Sequence, residues 1–428
     1  MHLSDRFEAK YLEAMTPALA DASPAAAAPG ARKALILLLL INLMNYVDRQ
    51  ILAAVEKPIS KEFGVSASQM GLLVTAFLFA YIIFSPVFGF MADRTRRWVI
   101  IGVGVVLWSL ASAGSGAVSS YAMLFAMRLF IGIGEAAYGP VAPTLIADLY
   151  PVADRGKKLA WFYAAIPVGS ALGYVVGGLF HAHWHWAFYV TLPPGLILGA
   201  ICFMMPEPAR GAASATPHRA TREDYLSLLR NRSFVICCAG MTAMTFAMGG
   251  IAFFMPRYLE EVAHLKPDQS TPIFGAILVV AGLLATLAGG WAGDRLRSKV
   301  RGSYFLVSAA GLIAGFPLLL LVLVTPFPLC WVVIFLAIFA LFFNTGPANA
   351  ILANVTAPHI RATAFAVNIL IIHLFGDAIS PTLIGLIRDA TNMKVAFAAV
   401  GVMMLLGGVV WLFGAKYLEG DMAKVSNQ

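Results

Sequence analysis

The chain has 428 residues, of which 60% are hydrophobic and only 12% are charged, about half the charged fraction of an ordinary soluble domain. This balance excludes a soluble enzyme. The net charge of +8 does not indicate a nucleic-acid-binding protein either, because the basic residues sit in short loops between long apolar runs.

Long apolar runs follow one another along the chain and predict membrane-spanning helices. Each run has roughly the 20 apolar residues that one crossing requires. Helix is the expected conformation, because backbone groups in lipid must be bonded within their own segment and the runs lack the alternating polarity of a barrel strand. The predicted spans 1 to 12 lie at 34–56, 69–92, 98–117, 120–147, 159–182, 187–205, 233–260, 272–292, 302–325, 328–352, 362–390 and 394–415.

Polar stretches divide these spans into two groups of six. Residues 1–33 predict a flexible tail, the polar gap 206–232 a central loop, and residues 416–428 a second tail. Between them, 34–205 and 233–415 each form a six-helix bundle. Most of the 30 Lys and Arg residues fall on the side of the tails and the central loop. That side is therefore expected to be cytoplasmic, with the protein in the plasma, or inner, membrane.

A loop motif occurs once in each half. After span 2 the chain reads Gly89-Phe-Met-Ala-Asp93-Arg94, and after span 8 it reads Gly290-Trp-Ala-Gly-Asp294-Arg295. Two copies at matching places predict a duplicated six-helix unit, the internal symmetry on which many secondary transporters are built. The Gly-x-x-x-Asp-Arg pattern is similar to the signature loop of the major facilitator superfamily.

The charged loops on this side also predict a cytoplasmic gate. Glycine lets helices approach closely, aspartate accepts from the N–H groups at a helix start, and arginines bridge the halves when this side is shut. The alternative is that the positive charges only set the topology. The predicted gate residues are Gly89, Asp93, Arg94, Arg97, Asp148, Arg155, Asp294, Arg295 and Arg361.

Spans 1 and 4 carry four charged side chains well inside their predicted bounds, Asp48 and Arg49 in span 1 and Arg128 and Glu135 in span 4. An ionisable group at mid-bilayer costs at least ~2.5–3.5 kcal/mol, so each needs a reason. The helical rise places Asp48 at a height between the two charges of span 4, which share one helix face. If spans 1 and 4 face a common cavity, the four charges form one cluster that links proton binding to helix movement. The alternative is a static ion-pair lock.

The second half carries no charge at the matching positions and offers phenylalanines instead. A charged wall opposite an aromatic wall favours an amphiphilic substrate over a strongly hydrophilic sugar. Asp377 in span 11 has an alternative role as a packing acid bonded to Ser380 or to a backbone group. The predicted cavity residues are Asn42, Asn45, Tyr46, Phe246, Phe339 and Asp377.

Two other motifs are weaker candidates for sites. His181, His183 and His185 lie beside tryptophans at a membrane edge, which favours an interfacial belt over a metal site. The glycine-rich stretches at 102–104 and 132–134 lie inside apolar helices, so no nucleotide or other cofactor is expected.

Three stretches together resemble the spinster family of the major facilitator superfamily: "NYVDRQI" in span 1, "RLFIGIGEAAYGPVAPTLIADLYP" in span 4 and "HLFGDAISPTLIGLIRD" in span 11. The resemblance implies a cavity between two pseudo-symmetric halves and the transport of lysophospholipids or sphingolipid phosphates. It also implies proton coupling through Asp48, with Arg49 and Glu135 completing the site and Arg128 nearby. Span 5 reads "IPVGSALGYVVGG", which matches the pattern of drug/proton antiporters only loosely, so the direction of transport stays open.

The leading hypothesis is therefore a proton-coupled secondary transporter of lysolipid-like or other amphiphilic molecules. It is expected to work by alternating access, as a monomer in the lipid bilayer. The alternatives are a symporter or exchanger of small organic anions held by Arg49 and Arg128, a proton-driven exporter of hydrophobic drugs, and a transporter-like receptor that moves nothing.

Overall fold

The computed structural model describes residues 27–209, 221–357 and 360–426, and these are almost entirely helical. Most of the predicted first tail and the middle of the central loop lie outside the described residues. Within the described ranges, 11 helices are long and apolar enough to cross a membrane. They are Ala31–Ala54, Ala67–Ala92, Arg97–Gly116, Asp154–Leu179, His181–Met204, Arg232–Glu261, Pro267–Arg297, Ser303–Val322, Cys330–Asn354, Thr363–Ala390 and Met393–Gly414.

Span 4 is missing from that set because it is divided into two shorter helices, Tyr121–Ala136 and Ala142–Leu149. The sequence predicts one continuous helix there. The break contains Gly139 and Pro140. Proline lacks the N–H group that a helix interior needs, and Gly139 lies so close to the Tyr81 hydroxyl that a Cβ would collide with it. Taken together, the two pieces make the fourth crossing and complete the predicted twelve-span, all-α fold.

Three other spans are interrupted without losing their length, and a proline follows each interruption. In span 11 the interruption is a π-helical turn, which is wider than an α-helical turn. The pieces are His181–His183, Trp184–Tyr189 and Leu192–Met204 in span 6, Cys330–Phe342 and Thr345–Asn354 in span 10, and Arg361–Ile372, His373–Asp377 and Ser380–Ala390 in span 11.

Short helices also lie outside the spans. Glu56–Phe63 follows the end of span 1 at Ala54, two residues earlier than the sequence predicts. Arg222–Arg230 and Leu418–Ser426 form in the predicted central loop and second tail. We call the side of the bundle where span 1 begins the terminal face and the other side the opposite face.

The buried hydrophobic residues of the described ranges form four clusters: one lies almost entirely in the first half, two lie in the second half, and one is shared. The shared cluster contains Leu52 and Leu73 of the first half together with Phe254 and Ile384 of the second, all buried. Within the described ranges, the hydrogen bonds and ion pairs that join the halves also run from the middle of the bundle to the opposite face. At the terminal face, Gly89 and Gly290 of the repeated loop motif border open space. The structure is therefore closed at the opposite face.

Candidate functional site

The centre of the first half holds a buried ion pair between Arg49 of span 1 and Glu135 of span 4. Both Nε and Nη2 of Arg49 lie 2.7 Å from Oε2 of Glu135. The Glu135 side chain is fully buried and that of Arg49 is 18% exposed. The predicted meeting of spans 1 and 4 is thus present, and Arg49 is the member of the pair that reaches the cavity.

Arg49 is also surrounded by aromatic rings. Its guanidinium lies 4.9 Å from the ring centres of Tyr46 and Phe77 and 5.5 Å from that of Tyr81. Ring faces attract a cation, and this attraction grows when water is excluded. The rings therefore help to hold the Arg49 guanidinium in place independently of its ion pair with Glu135.

Asp48 points to a different neighbour from Arg49. Its Oδ1 accepts a hydrogen bond of 2.9 Å from the Ser112 hydroxyl of span 3, and the residue is 2% exposed. Consecutive residues on an α-helix point about 100° apart, so they cannot share one partner. Among the described residues, Asp48 takes part in no ion pair, and the four charges are arranged as one tight pair with two neighbours.

Arg128 is the buried cation without a tight partner. It is 2% exposed and its guanidinium lies 5.1 Å from the ring centre of Phe77. Within the described ranges, Nε and Nη1 of Arg128 have no hydrogen-bond acceptor. Leaving buried donors unpaired is costly, so this side chain is a candidate for binding a polar group that enters the cavity.

A cavity of about 110 Å³ lies where these charges meet the second half. One water molecule occupies about 30 Å³ of liquid, so the cavity holds a few waters or one small polar group in this conformation. Its lining combines charges from spans 1, 4 and 11 with small and aromatic residues of span 7. The lining residues are Arg49, Gln50, Val74, Phe77, Leu78, Arg128, Gly249, Ala252, Phe253 and Asp377.

The second half contributes a histidine–aspartate pair that sequence reasoning did not recognise. Nδ1 of His373 lies 3.0 Å from both carboxylate oxygens of Asp377. The two residues begin and end the π-helical turn of span 11. The partner of Asp377 is thus His373 rather than Ser380 or a backbone group. The spacing of four residues within one helix was the available signal.

The other predicted cavity residues lie away from the cavity lining. Asn42 donates to the Phe162 carbonyl over 2.8 Å and ties span 1 to span 5. Asn45 is buried, and Tyr46 contributes its ring to the Arg49 site. Phe246 is buried in the shared cluster. Phe339 stacks on Phe335 in span 10.

Two of the predicted gate arginines, Arg97 and Arg155, bond within the first half in this conformation. Arg97 is buried and binds Asp148 at 2.6 Å and Glu207 at 2.7 Å. Arg155 donates to the Tyr150 carbonyl. The remaining gate side chains, Asp93, Arg94, Asp294, Arg295 and Arg361, are exposed. Since the terminal face is not shut here, the gating role stays a prediction.

A network of charges at the opposite face was missed because sequence reasoning counted only the basic residues there. Arg257 of span 7 binds Glu56 of the first half at 2.7 Å and Glu261 at 3.0 Å. Lys57 crosses the halves to Glu260 at 2.9 Å. Burial raises the pKa of Glu56, which lies beyond the end of span 1, to about 7, although Arg257 opposes this. Burial thus disfavours the charged form of Glu56, while the ion pair with Arg257 favours it.

Comparison with known proteins agrees with this architecture. A family model described as Major Facilitator Superfamily matches residues 38–376. Protein spinster homolog 3 of Danio rerio is 35% identical, over 91% of this chain and 85% of its own length. Protein spinster homolog 1 of Homo sapiens is 35% identical, over 92% of this chain and 82% of its own length.

Two solved structures have the same fold. One is a bacterial homolog to the human lysosomal transporter Spinster in an inward-facing and occupied conformation, with a TM-score of 0.82 and 21% identity, covering 92% of this chain and 99% of that one. The other is a D-xylose–proton symporter, with a TM-score of 0.72 and 20% identity, covering 90% of this chain and 97% of that one.

Two six-span halves around a central charged cavity define a membrane transporter rather than an enzyme, and the chain belongs to the Major Facilitator Superfamily. Within it, the chain belongs to the spinster family. It is a multi-pass membrane protein and a secondary transporter of the spinster type.

Proposed function

We propose that the protein is a proton-coupled carrier of lysolipid-like amphiphiles that works by alternating access. The observation that carries this proposal is the central cavity, where the first half contributes Arg49 and Arg128 and the second half contributes Asp377 together with Gly249, Ala252 and Phe253. A polar headgroup fits the charged side, and an acyl chain needs an apolar path. Because the cavity is smaller than a whole lysolipid, it must widen when substrate enters.

The proton step in this proposal uses the Arg49–Glu135 pair. A substrate anion that attracts Arg49 takes the counter-charge away from Glu135. A buried carboxylate without a counter-charge is costly, so uptake of a proton is the economical response. Asp48, held by Ser112 behind the pair, is the second proposed proton carrier. The proposed carrier is a monomer in the inner membrane with both termini in the cytoplasm, on the side where most Lys and Arg residues fall.

The test is uptake into proteoliposomes of a panel of labelled lysolipids under an imposed pH gradient. Asp48→Asn and Glu135→Gln are each expected to abolish the pH-driven component. Asp268→Asn, an exposed acid in the first turn of span 8, is the matched control and should leave it intact. If either of the first two variants keeps normal pH-dependent uptake, its proton role is wrong. If no lysolipid is moved by the parent protein, the substrate class is wrong.

A second candidate, exchange of small organic anions, is favoured by the unpaired Nε and Nη1 of Arg128. A carboxylate or phosphate would supply the missing acceptors. Competition separates the two functions: inhibition of transport by lysolipids supports the amphiphile carrier, and displacement by small anions alone supports the anion exchanger.

A further inference from the structure

The first turn of span 2 is held by a carboxylate from the other half of the molecule. Oδ1 of Asp389, at the end of span 11, accepts from the Ala67 backbone N–H over 3.1 Å. Oδ2 of the same residue accepts from the Ser68 N–H over 2.9 Å. These are the first two residues of the helix Ala67–Ala92, so the bond is a helix cap made across the two halves.

This cap completes one that the helix already has. The Ser66 side chain accepts from the Gln69 N–H, and Gln69 bonds back to the Ser66 N–H. A helix start leaves its first backbone donors without partners. The local capping box serves the third residue of the helix and leaves the N–H groups of Ala67 and Ser68 for Asp389, whose charge also suits the positive end of the helix dipole.

The backbones beneath this cap are in close contact. A Cβ at Gly71 of span 2 would collide with the Pro381 carbonyl, and a Cβ at Gly385 of span 11 would collide with the backbone of Ala67. Thr75 adds a hydrogen bond of 2.9 Å to Thr382. Spans 2 and 11 can therefore not slide past each other while the cap is made, and opening the opposite face must separate them.

Asp389 is oriented by its neighbour in span 11. Nη1 of Arg388 lies 3.4 Å from Oδ1 of Asp389, and Nη2 of Arg388 lies 3.2 Å from Glu261 in the same half. Arg388 thus stays with the second half. Asp389 is joined to the first half by the two hydrogen bonds that it accepts from Ala67 and Ser68.

We propose that Asp389 is a positioning residue of the transport cycle. Its carboxylate caps span 2 while the opposite face is closed and leaves when that face opens. The proposal rests on alternating access, as the proposed function does, but on neither the substrate nor the coupling ion. Its test therefore measures conformation alone.

The experiment uses two pairs of spin labels on the full chain in lipid nanodiscs, read by pulsed electron resonance. Labels at Lys61→Cys and Gln269→Cys report on the opposite face, and labels at Thr95→Cys and Ser298→Cys report on the terminal face; all four positions are exposed. The four native cysteines are buried and a sample without introduced cysteines gives the background.

Asp389→Ala is expected to raise the open-to-closed ratio at the opposite face by about two- to thirtyfold, the range for replacing a helix-capping side chain by alanine. The terminal-face pair should shorten in the same sample. Asp389→Asn should keep most of the closed population, because its amide oxygen still accepts from a helix N–H. Asp268→Ala should match the parent.

An unchanged distance distribution in Asp389→Ala overturns the proposal. So does an Asp389→Asn variant as open as Asp389→Ala, because the charge toward Arg388 would then matter rather than the cap. Lengthening of both label pairs indicates a loosened fold and also overturns it. If these distances respond as expected while no lysolipid is transported, the proposed substrate fails and the role of Asp389 stands.

Discussion

The two central arginines have the same charge, yet their surroundings differ. Arg49 has a tight acidic partner, while Nε and Nη1 of Arg128 have no acceptor within the described ranges. Removing one member of a buried pair leaves an uncompensated charge, whereas removing an unpaired charge relieves a desolvation cost. The two side chains should therefore contribute to stability with different signs or very different sizes.

We expect Arg49→Met to destabilise the protein by about 3–5 kcal/mol, because the Glu135 carboxylate loses its partner. Arg128→Met should stay within about 1 kcal/mol of the parent or exceed it, because an apolar side chain of similar length replaces an unpaired cation. Both variants should lose transport. Chemical unfolding in detergent, followed by tryptophan fluorescence, measures the stability. Equal destabilisation by the two substitutions would contradict the difference seen in the structure.

At the scale of single helices, the sequence was sufficient for the fold and only partly sufficient for the site. Long apolar runs and the repeated Gly-x-x-x-Asp-Arg loop fix the number and the grouping of spans, because lipid leaves helix as the conformation available to such runs. The seven-residue spacing on span 4 predicts that Arg128 and Glu135 share a face. The structure pairs Glu135 with Arg49 of span 1 and places Arg128 beside the ring of Phe77 in span 2.

What the sequence could not fix was the rotation of each helix and the contacts between distant segments. Each step of one residue along an α-helix turns the side-chain direction by about 100°. An error of one residue in the predicted position of span 1 is therefore enough to exchange the predicted partners of Asp48 and Arg49. The Glu56–Arg257 pair joins residues that are 201 positions apart in the sequence, so no local sequence pattern predicts it. The π-helical turn that carries His373 and Asp377 packs against Gly249, and this contact is likewise non-local.

That packing gives a prediction for span 7. A Cβ at Gly249 would collide with the Asp377 side chain, whereas one at Gly89 or Gly290 meets no atom within 4 Å. We expect Gly249→Ala to destabilise by about 1–3 kcal/mol, as overpacking does. Gly290→Ala should be neutral or stabilising by about 0.5–1 kcal/mol, because alanine is the better helix former. Thermal unfolding in detergent compares them.

Gly89→Ala extends this comparison to the predicted gate. If span 2 approaches the second half only when the terminal face shuts, the substitution should leave stability unchanged and slow transport. Normal transport by a stable Gly89→Ala variant would argue that this glycine is not part of a gate.

For the molecule as a whole, the opposite-face network links conformation to pH through Glu56. In the closed state Glu56 is fully buried, and burial raises its pKa from 4.5 to about 7. Arg257, Glu261 and Arg388 are the charged groups that act on it. When the face opens, water reaches the carboxyl group and its pKa returns to the ordinary value. The closed state therefore binds the proton more tightly than the open state, despite the ion pair to Arg257.

The sign of the pH effect follows from this difference. Glu56 favours closure fully below pH 4.5, and its contribution is lost as the pH rises through about 7. Between these values the closed-to-open ratio from this group falls by at most about tenfold per pH unit.

The measurement is the distance between labels at positions 61 and 269, recorded from pH 5 to about pH 8 in the parent and in Glu56→Gln. The neutral glutamine should flatten the part of the pH response that belongs to Glu56. Glu62→Gln, an exposed acid on the same short helix, should keep the parent's response. Asp48 and Glu135 are present in all three proteins, so the difference between the curves isolates Glu56. A parent that opens on acidification, with Glu56→Gln unchanged from it, would show that the Arg257 ion pair outweighs the cost of burial.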